Sequence, residues 1–217
     1  MREINRGKRN RGDLKRPDFI WHYLLQSFAT MGRASGAKGL IKDQSNYQRV
    51  TYEALAALTP KKRERQVREA CRAAKVRMPD LKARYILECF QYVETLGGPE
   101  KAKNLLLAQP GREGKIHFLR TFPGIGPKYA RNIMMDVYQG DFRDSIALDT
   151  RIKSISIALG LSFSDSDYLE HEAFYLEVAH AAGLNGWELD RLLFNFLDEV
   201  KQGLLDLARK RQKQVNL

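Results

Sequence analysis

Apolar residues recur at helical spacing along most of this chain. In "PDLKARYILECFQYVETLGG", residues 79–98, Leu81, Tyr85, Ile86, Cys89, Phe90 and Val93 share one face. Pro79 suits the first helical position, and the Gly97-Gly98 pair is a stop signal. "KKRERQVREACRAAK", residues 61–75, carries Val67, Ala70, Cys71 and Ala74 along one stripe of a polar helix. Pro17 opens "DFIWHYLLQSFATM", apolar enough to read as a buried helix.

The remaining elements follow from caps and breakers. Thr51 is a candidate N-cap for "YEALAAL", although no clean capping box follows. Pro99 starts a short helix ending at "LLL", and another is expected near 112–120. Pro127 begins a helix reaching about Tyr138. Asp149 or Thr150 caps one that ends near Gly160. Ser166 or Asp167 starts the next, up to about Ala182, and Asn185 caps a last amphipathic stretch, "GWELDRLLFNFLDEVKQGLLDLARKRQ". Residues 33–50 read as loop. Strand signals are nearly absent and no internal repeat is visible, so the pattern predicts an all-α protein of about ten helices.

Charge adds a partner to this picture. The 217-residue chain carries a formal net charge of +11, which points to a polyanion, most simply nucleic acid. The signs are segregated. Residues 1–16 hold seven Lys/Arg against two acids, 61–84 hold ten against three, and 201–217 hold five against one. Residues 161–200 hold nine acids and one Arg. Such segregation predicts a basic binding face. Residues 1–16 read as a basic arm that need not be ordered.

Two cysteines, Cys71 and Cys89, form no CxxC and have no histidine cluster beside them. A metal or a cysteine-ligated iron–sulfur cluster is not expected, and the scarcity suits a reducing, cytoplasmic setting. No apolar run nears the length of a membrane span, and the basic N-terminus lacks the apolar core of a signal peptide. Monomer is the default state.

The candidate chemistry lies in "FLRTFPGIGPKYARNIM", residues 118–134, which reads as helix, tight hairpin, helix. Gly124 and Gly126 allow positive φ and close approach. Phe122 and Ile125 would anchor the hairpin. Pro127 presets a helix whose first-turn N–H groups form an anion site. A DNA phosphate fits there, directly or through a monovalent cation shared with hairpin carbonyls. A plain Gly-containing turn between packed helices is the competing reading of "PGIG" alone. Asp149, 21 residues beyond Lys128 in "DSIALDTRIKSI", reads as a helix N-cap. The helix dipole would favour its ionised form.

Together these stretches carry a resemblance. "FPGIGPKYA" resembles the "LPGVGxKxA" hairpin of the helix-hairpin-helix (HhH-GPD) base-excision DNA glycosylases, and "IALDTRI" resembles their "xxVDTHV" segment. The superfamily includes endonuclease III, the adenine glycosylases and 8-oxoguanine DNA glycosylase. "FIWHYLLQSFATM" is similar to their early helix and "LKARYILECF" to the helix before the hairpin. The likeness runs from about residue 19 to 200.

The resemblance implies two α-helical domains flanking a DNA-binding cleft. Residues 45–145 would form one, with the helix-hairpin-helix at about 112–138; residues 17–44 with 146–217 would form the other. It implies Lys128 as the catalytic nucleophile and Asp149 as the carboxylate that stabilises the sugar cation. Pro123, Gly124, Ile125, Gly126, Lys115, Arg131 and Arg151 would bind DNA. Phe28 and Met78 are candidates for the side chain that fills the gap left by a flipped base. Trp21, Phe28, Trp187, Phe194 and Phe196 are available to stack on a base, although aromatics at this spacing commonly form core. Three departures stand out: a longer lysine–aspartate spacing, Arg151 where the family has His, and no C-terminal four-cysteine cluster.

The implied activity is excision of a damaged, oxidised base from duplex DNA, followed by strand nicking through a Schiff base (AP lyase). Lack of a cluster tilts the substrate toward 8-oxoguanine. Two alternatives remain open at this level. One is a monofunctional glycosylase using water, with Lys128 only binding DNA. The other is a non-catalytic helix-hairpin-helix binding protein, which would not require Asp149.

Overall fold

A computed structural model describes residues 10–33, 35–164 and 167–215, and every regular element among them is helical. Residues 1–9 of the expected basic arm lie outside the described residues, as does Ser166; Asn10–Lys15 form a 3-10 helix. The chain divides into two compact units, one of residues Gly12–Ile133 and one built on Met134–Leu217.

The first unit is organised around α1 (Phe19–Thr30), whose residues Phe19, Ile20, Leu24, Leu25 and Phe28 are fully buried. After it come α2 (Gln44–Gln48), α3 (Tyr52–Ala56), α4 (Pro60–Ala73), α5 (Pro79–Thr95), α6 (Pro99–Ala108), α7 (Gly111–Arg120) and α8 (Pro127–Met135). Prolines open α4, α5 and α6, where a missing N–H costs nothing. The Thr51 hydroxyl accepts from Ala54 N–H at the start of α3. α1 packs against α5 and α6, and α4 packs along α5. The sequence reading grouped residues 17–44 with 146–217; the packing groups α1 with the helices of residues 60–108. Trp21 links this core to the α2–α3 corner by donating its indole N–H to the Val50 carbonyl at 2.8 Å.

Residues 33–50 are not the loop their composition suggests. Lys38–Lys42 form a turn of π-helix and α2 follows at once. Tertiary contacts override propensity here. Gly39 lies against the end of α4, where a Cβ would sit 2.2 Å from the Ala74 carbonyl oxygen. Asn46 donates its side-chain amide to the Gly39 carbonyl, and Asp43 caps α2 by accepting from Ser45 and Asn46 N–H.

The second unit contains α9 (Thr150–Ala158), α10 (Tyr168–Ala181), α11 (Gly186–Asn195) and α12 (Leu197–Val215). Its core joins Ile146, Leu148, Ile152, Ile155, Tyr175, Ala179, Leu189 and Leu193. Asn185 caps α11 in a reciprocal capping box with Glu188. The single C-terminal stretch expected from the pattern is two helices, because Phe196 leaves helical geometry at φ −126°, ψ 37°. No helix among the described residues is long and apolar enough to cross a membrane.

Candidate functional site

In the first unit, α7 and α8 flank the hairpin at residues 121–126. Phe122 and Ile125 are buried and anchor it, as their apolar character predicts. The turn closes through Ile125 N–H donating to the Phe122 carbonyl at 3.0 Å, while Pro123 offers its carbonyl to the Cys89 thiol at 3.4 Å. Gly124 adopts φ +80° directly against Tyr85 and Phe28, whose rings stack at 5.8 Å.

The two glycines therefore do different things. Gly124 is required by backbone conformation and by the aromatic platform beneath it. Gly126 is not in the positive-φ region, and a Cβ there would meet nothing within 4 Å. Its lack of a side chain leaves open space beside the start of α8, where the first N–H groups gather.

Lys128 occupies the first turn of α8 and is half-buried, with Nζ 5.0 Å from the Tyr129 ring centroid. Two cations assigned to DNA from sequence are instead structural. Lys115 is buried and donates Nζ to the carbonyls of Gln109 (2.7 Å) and Gly111 (3.4 Å), tying down the turn before α7. Arg131 is 2% exposed and donates to the Pro127 carbonyl one turn back. A buried cation satisfied by backbone carbonyls does not face a polyanion.

The two wedge candidates also separate. Phe28 is fully buried under Gly124, so it is a support for the hairpin and not a projecting side chain. Met78 is 57% exposed at the junction before α5, and its backbone sits in the left-handed region at φ 54°, ψ 60°. A non-glycine residue there is uncommon and carries strain. Its backbone is held by the following Pro79 and by Lys82 N–H donating to the Met78 carbonyl at 3.1 Å.

In the second unit, Asp149 is the N-cap of α9. Its Oδ1 accepts from Arg151 N–H at 2.9 Å and Ile152 N–H at 3.1 Å. The carboxylate is thereby fixed at a positive helix terminus. Arg151 lies with its guanidinium carbon 4.3 Å from the Phe194 ring centroid, a cation–π contact at the same helix start. Phe194 and Phe196 are about half exposed, whereas Trp21 and Trp187 are core; Trp187 donates its indole N–H to the Met135 carbonyl.

Residues 146–148, leading to Asp149, form a strap outside any regular element, and side chains satisfy its backbone N–H groups. Ile146 N–H donates to Glu172 at 3.0 Å, Ala147 N–H to Asp190 at 2.9 Å, and Leu148 N–H to the Tyr168 hydroxyl at 3.0 Å. The same hydroxyl donates to the Ile146 carbonyl. Burial pushes the Asp190 carboxyl up to about 6, a rise that Arg191 beside it and the Ala147 N–H only partly offset. Sequence reading missed this trio. The available signal was an acid on the apolar face of each helix, Glu172 on α10 and Asp190 on α11.

No protein-family model matches the sequence, and no curated protein matches it either. Solved structures do. The 8-oxoguanine glycosylase/lyase of Methanocaldococcus jannaschii, in complex with a 15-mer DNA containing 8-oxoguanine, superposes with a TM-score of 0.66 at 17% identity, over 86% of this chain and 84% of that one. The fold is that of the 8-oxoguanine DNA glycosylases. A second structure of the 8-oxoguanine DNA glycosylase from that organism gives 0.64 at 16% identity, over 90% and 85%. The Thermotoga maritima 8-oxoguanine DNA glycosylase gives 0.59 at 20%, over 89% and 87%. The glycosylase fold thus spans 86–90% of this chain.

Proposed function

We propose that this chain is a base-excision DNA glycosylase with AP lyase activity, acting on an oxidised base in duplex DNA, with 8-oxoguanine the first candidate. The observation that carries the reading is the Asp149 cap. A simple hairpin-type DNA binder requires only the glycine hairpin and positive charge, whereas this chain also holds a carboxylate at a helix start 21 residues after Lys128.

The hairpin and the N–H groups at the start of α8 hold backbone phosphate. Flipping the damaged nucleotide costs a few kcal/mol, and Met78 is the side chain suited to fill the gap. The neutral amine of Lys128 attacks C1′ of the sugar. A new N–C1′ bond forms as the bond to the base breaks, and the base leaves with that electron pair and takes up a proton. Asp149 stabilises the positive charge that develops on the sugar. Ring opening gives a Schiff base at Lys128, and loss of a C2′ proton then expels the 3′ phosphate. Only an amine and a carboxylate enter these steps.

The test is a panel of duplexes, each with one defined lesion, scored separately for base release and nicking, with borohydride trapping. An adduct with wild type that disappears in Lys128→Ala is expected, with 8-oxoguanine released fastest. Base release with no adduct on any lesion would overturn the lyase step and leave water as the nucleophile. Duplex binding with no base release anywhere would overturn the enzyme reading.

A further inference from the structure

The basic run at residues 61–84 is less available to DNA than its charge count suggests. Most of its arginines are already paired. Arg63 meets Glu94, Arg65 meets Glu69, Arg68 meets Glu64 and Asp80, Arg72 meets Asp80, and Arg84 meets Glu88. Arg77 donates to the Gly32 carbonyl, and Lys82 is buried against the Met31 sulfur.

Unpaired cations gather elsewhere. A recess of about 640 Å³ opens between the π-helical turn Lys38–Lys42 and the C-terminal end of α4, lined by Arg33, Ser35, Lys38, Gly39, Lys42, Asp43 and Lys75 among others. Arg33, Lys38, Lys42 and Lys75 are all exposed, and none of their side chains has an ion pair or hydrogen bond with a described residue. The one acid on the wall, Asp43, is engaged as the cap of α2, accepting from Ser45 and Asn46.

The walls are fixed. α4 ends in a Schellman motif, with Val76 N–H donating to the Cys71 carbonyl and Lys75 N–H to that of Arg72. Lys75 occupies the left-handed position at φ 52°, where glycine is the usual residue. Attraction to the helix C-terminus accounts for one cation at this end, but not for four around one recess. Gly36 and Gly39 bring the facing turn so close that a Cβ at either would sit about 2 Å from a carbonyl oxygen, that of Ala29 or Ala74 respectively. Arg77, by its bond to Gly32, ties the rim of the recess to the loop that carries Met78.

We infer that this recess is a phosphate-binding site that takes a backbone phosphodiester of the same duplex, on the face that carries Met78. The inference rests on the DNA reading above. The chemistry is that of a dianionic or monoanionic phosphate oxygen cluster met by converging ammonium and guanidinium groups. Its source is duplex DNA, or else free inorganic phosphate.

The test compares duplex binding of wild type, Lys38→Ala/Lys75→Ala, and a control pair, Lys61→Ala/Lys62→Ala, which removes two unpaired charges from the other end of α4. Each is titrated across a salt series, and thermal unfolding confirms that all three are folded. Loss of one phosphate contact lowers the slope of log K against log [salt] by about 0.9. The recess pair is expected to show that drop and at least tenfold weaker binding at low salt; the control pair keeps the wild-type slope. Equal slopes in wild type and the recess pair would overturn the site. So would an equal loss in the control pair, which would reveal a general charge effect. A wild type that fails to bind duplex would instead overturn the DNA reading, and this inference with it. A parallel titration of wild type with inorganic phosphate, followed by amide NMR shifts, separates the sources. Tight binding there with an unchanged duplex slope would assign the recess to free phosphate and overturn the DNA assignment.

Discussion

Gly124 rests on the ring of Tyr85 so closely that a Cβ would lie 2.7 Å from Cδ2. The hairpin is thus seated on an aromatic platform, with Phe28 stacked on Tyr85 below it. Gly124→Ala meets both this clash and φ +80°. It should lower stability by about 1–3 kcal/mol in urea unfolding. In a Tyr85→Ala background the same change should cost less, since the two sites share one contact.

Asp149 has a structural task and a proposed chemical one, and two substitutions separate them. Asn can still cap α9, so Asp149→Asn should unfold within a few tenths of a kcal/mol of wild type. Asp149→Ala loses the acceptor for Arg151 and Ile152 N–H and should cost about 1 kcal/mol. Both should abolish or greatly slow base release while DNA binding persists. Near-normal base release by the Asn variant would remove the charge from the mechanism.

Met78 can be truncated with little structural cost because it is 57% exposed. Met78→Ala should leave the unfolding midpoint nearly unchanged. It should slow base release from duplex by about tenfold, the effect of losing some 1.4 kcal/mol of stabilisation of the flipped state. Release from single-stranded DNA, where no stacking gap forms, should be much less affected. Equal slowing on both substrates would argue against a wedge.

Asp190 makes a pH prediction. Burial raises its carboxyl to about 6 in the folded chain, against an ordinary value of 3.8, so the folded state binds the proton more tightly. Between those values the folded chain holds more protons than the unfolded one, and this group's contribution to stability falls as pH rises. The contribution is full below about pH 4 and lost above about pH 6. A shift of this size corresponds to roughly 3 kcal/mol. Asp190→Asn should remove that dependence while still accepting from Ala147 N–H. The difference in unfolding free energy between wild type and variant, measured at pH 4.5 and pH 7, isolates this group from other titrations. An unchanged difference would show that Asp190 keeps an ordinary pKa.

Much of this architecture is legible in the sequence because its punctuation is local. Pro79, Pro99 and Pro127 start helices where a missing N–H is harmless, and Thr51, Asp149 and Asn185 cap with their own side chains. The π-helical turn at Lys38–Lys42 was not legible, since it depends on Gly39 meeting a carbonyl 35 residues away. Charge was legible as a sum and misleading residue by residue. Lys115 and Arg131 are turned inward and hydrogen-bonded to backbone carbonyls, and the arginines of α4 are paired with acids on the same or the next helix. Pairing is a tertiary property, and counting charges along the chain does not register it.

The strap before Asp149 is held by Glu172, Asp190 and Tyr168 through its amide groups. Every residue except proline carries such an N–H. Apolar substitutions within residues 146–148 that keep the core filled, as Ile146 and Leu148 do, can therefore leave the carboxylate they deliver in place, provided the three distant anchors persist.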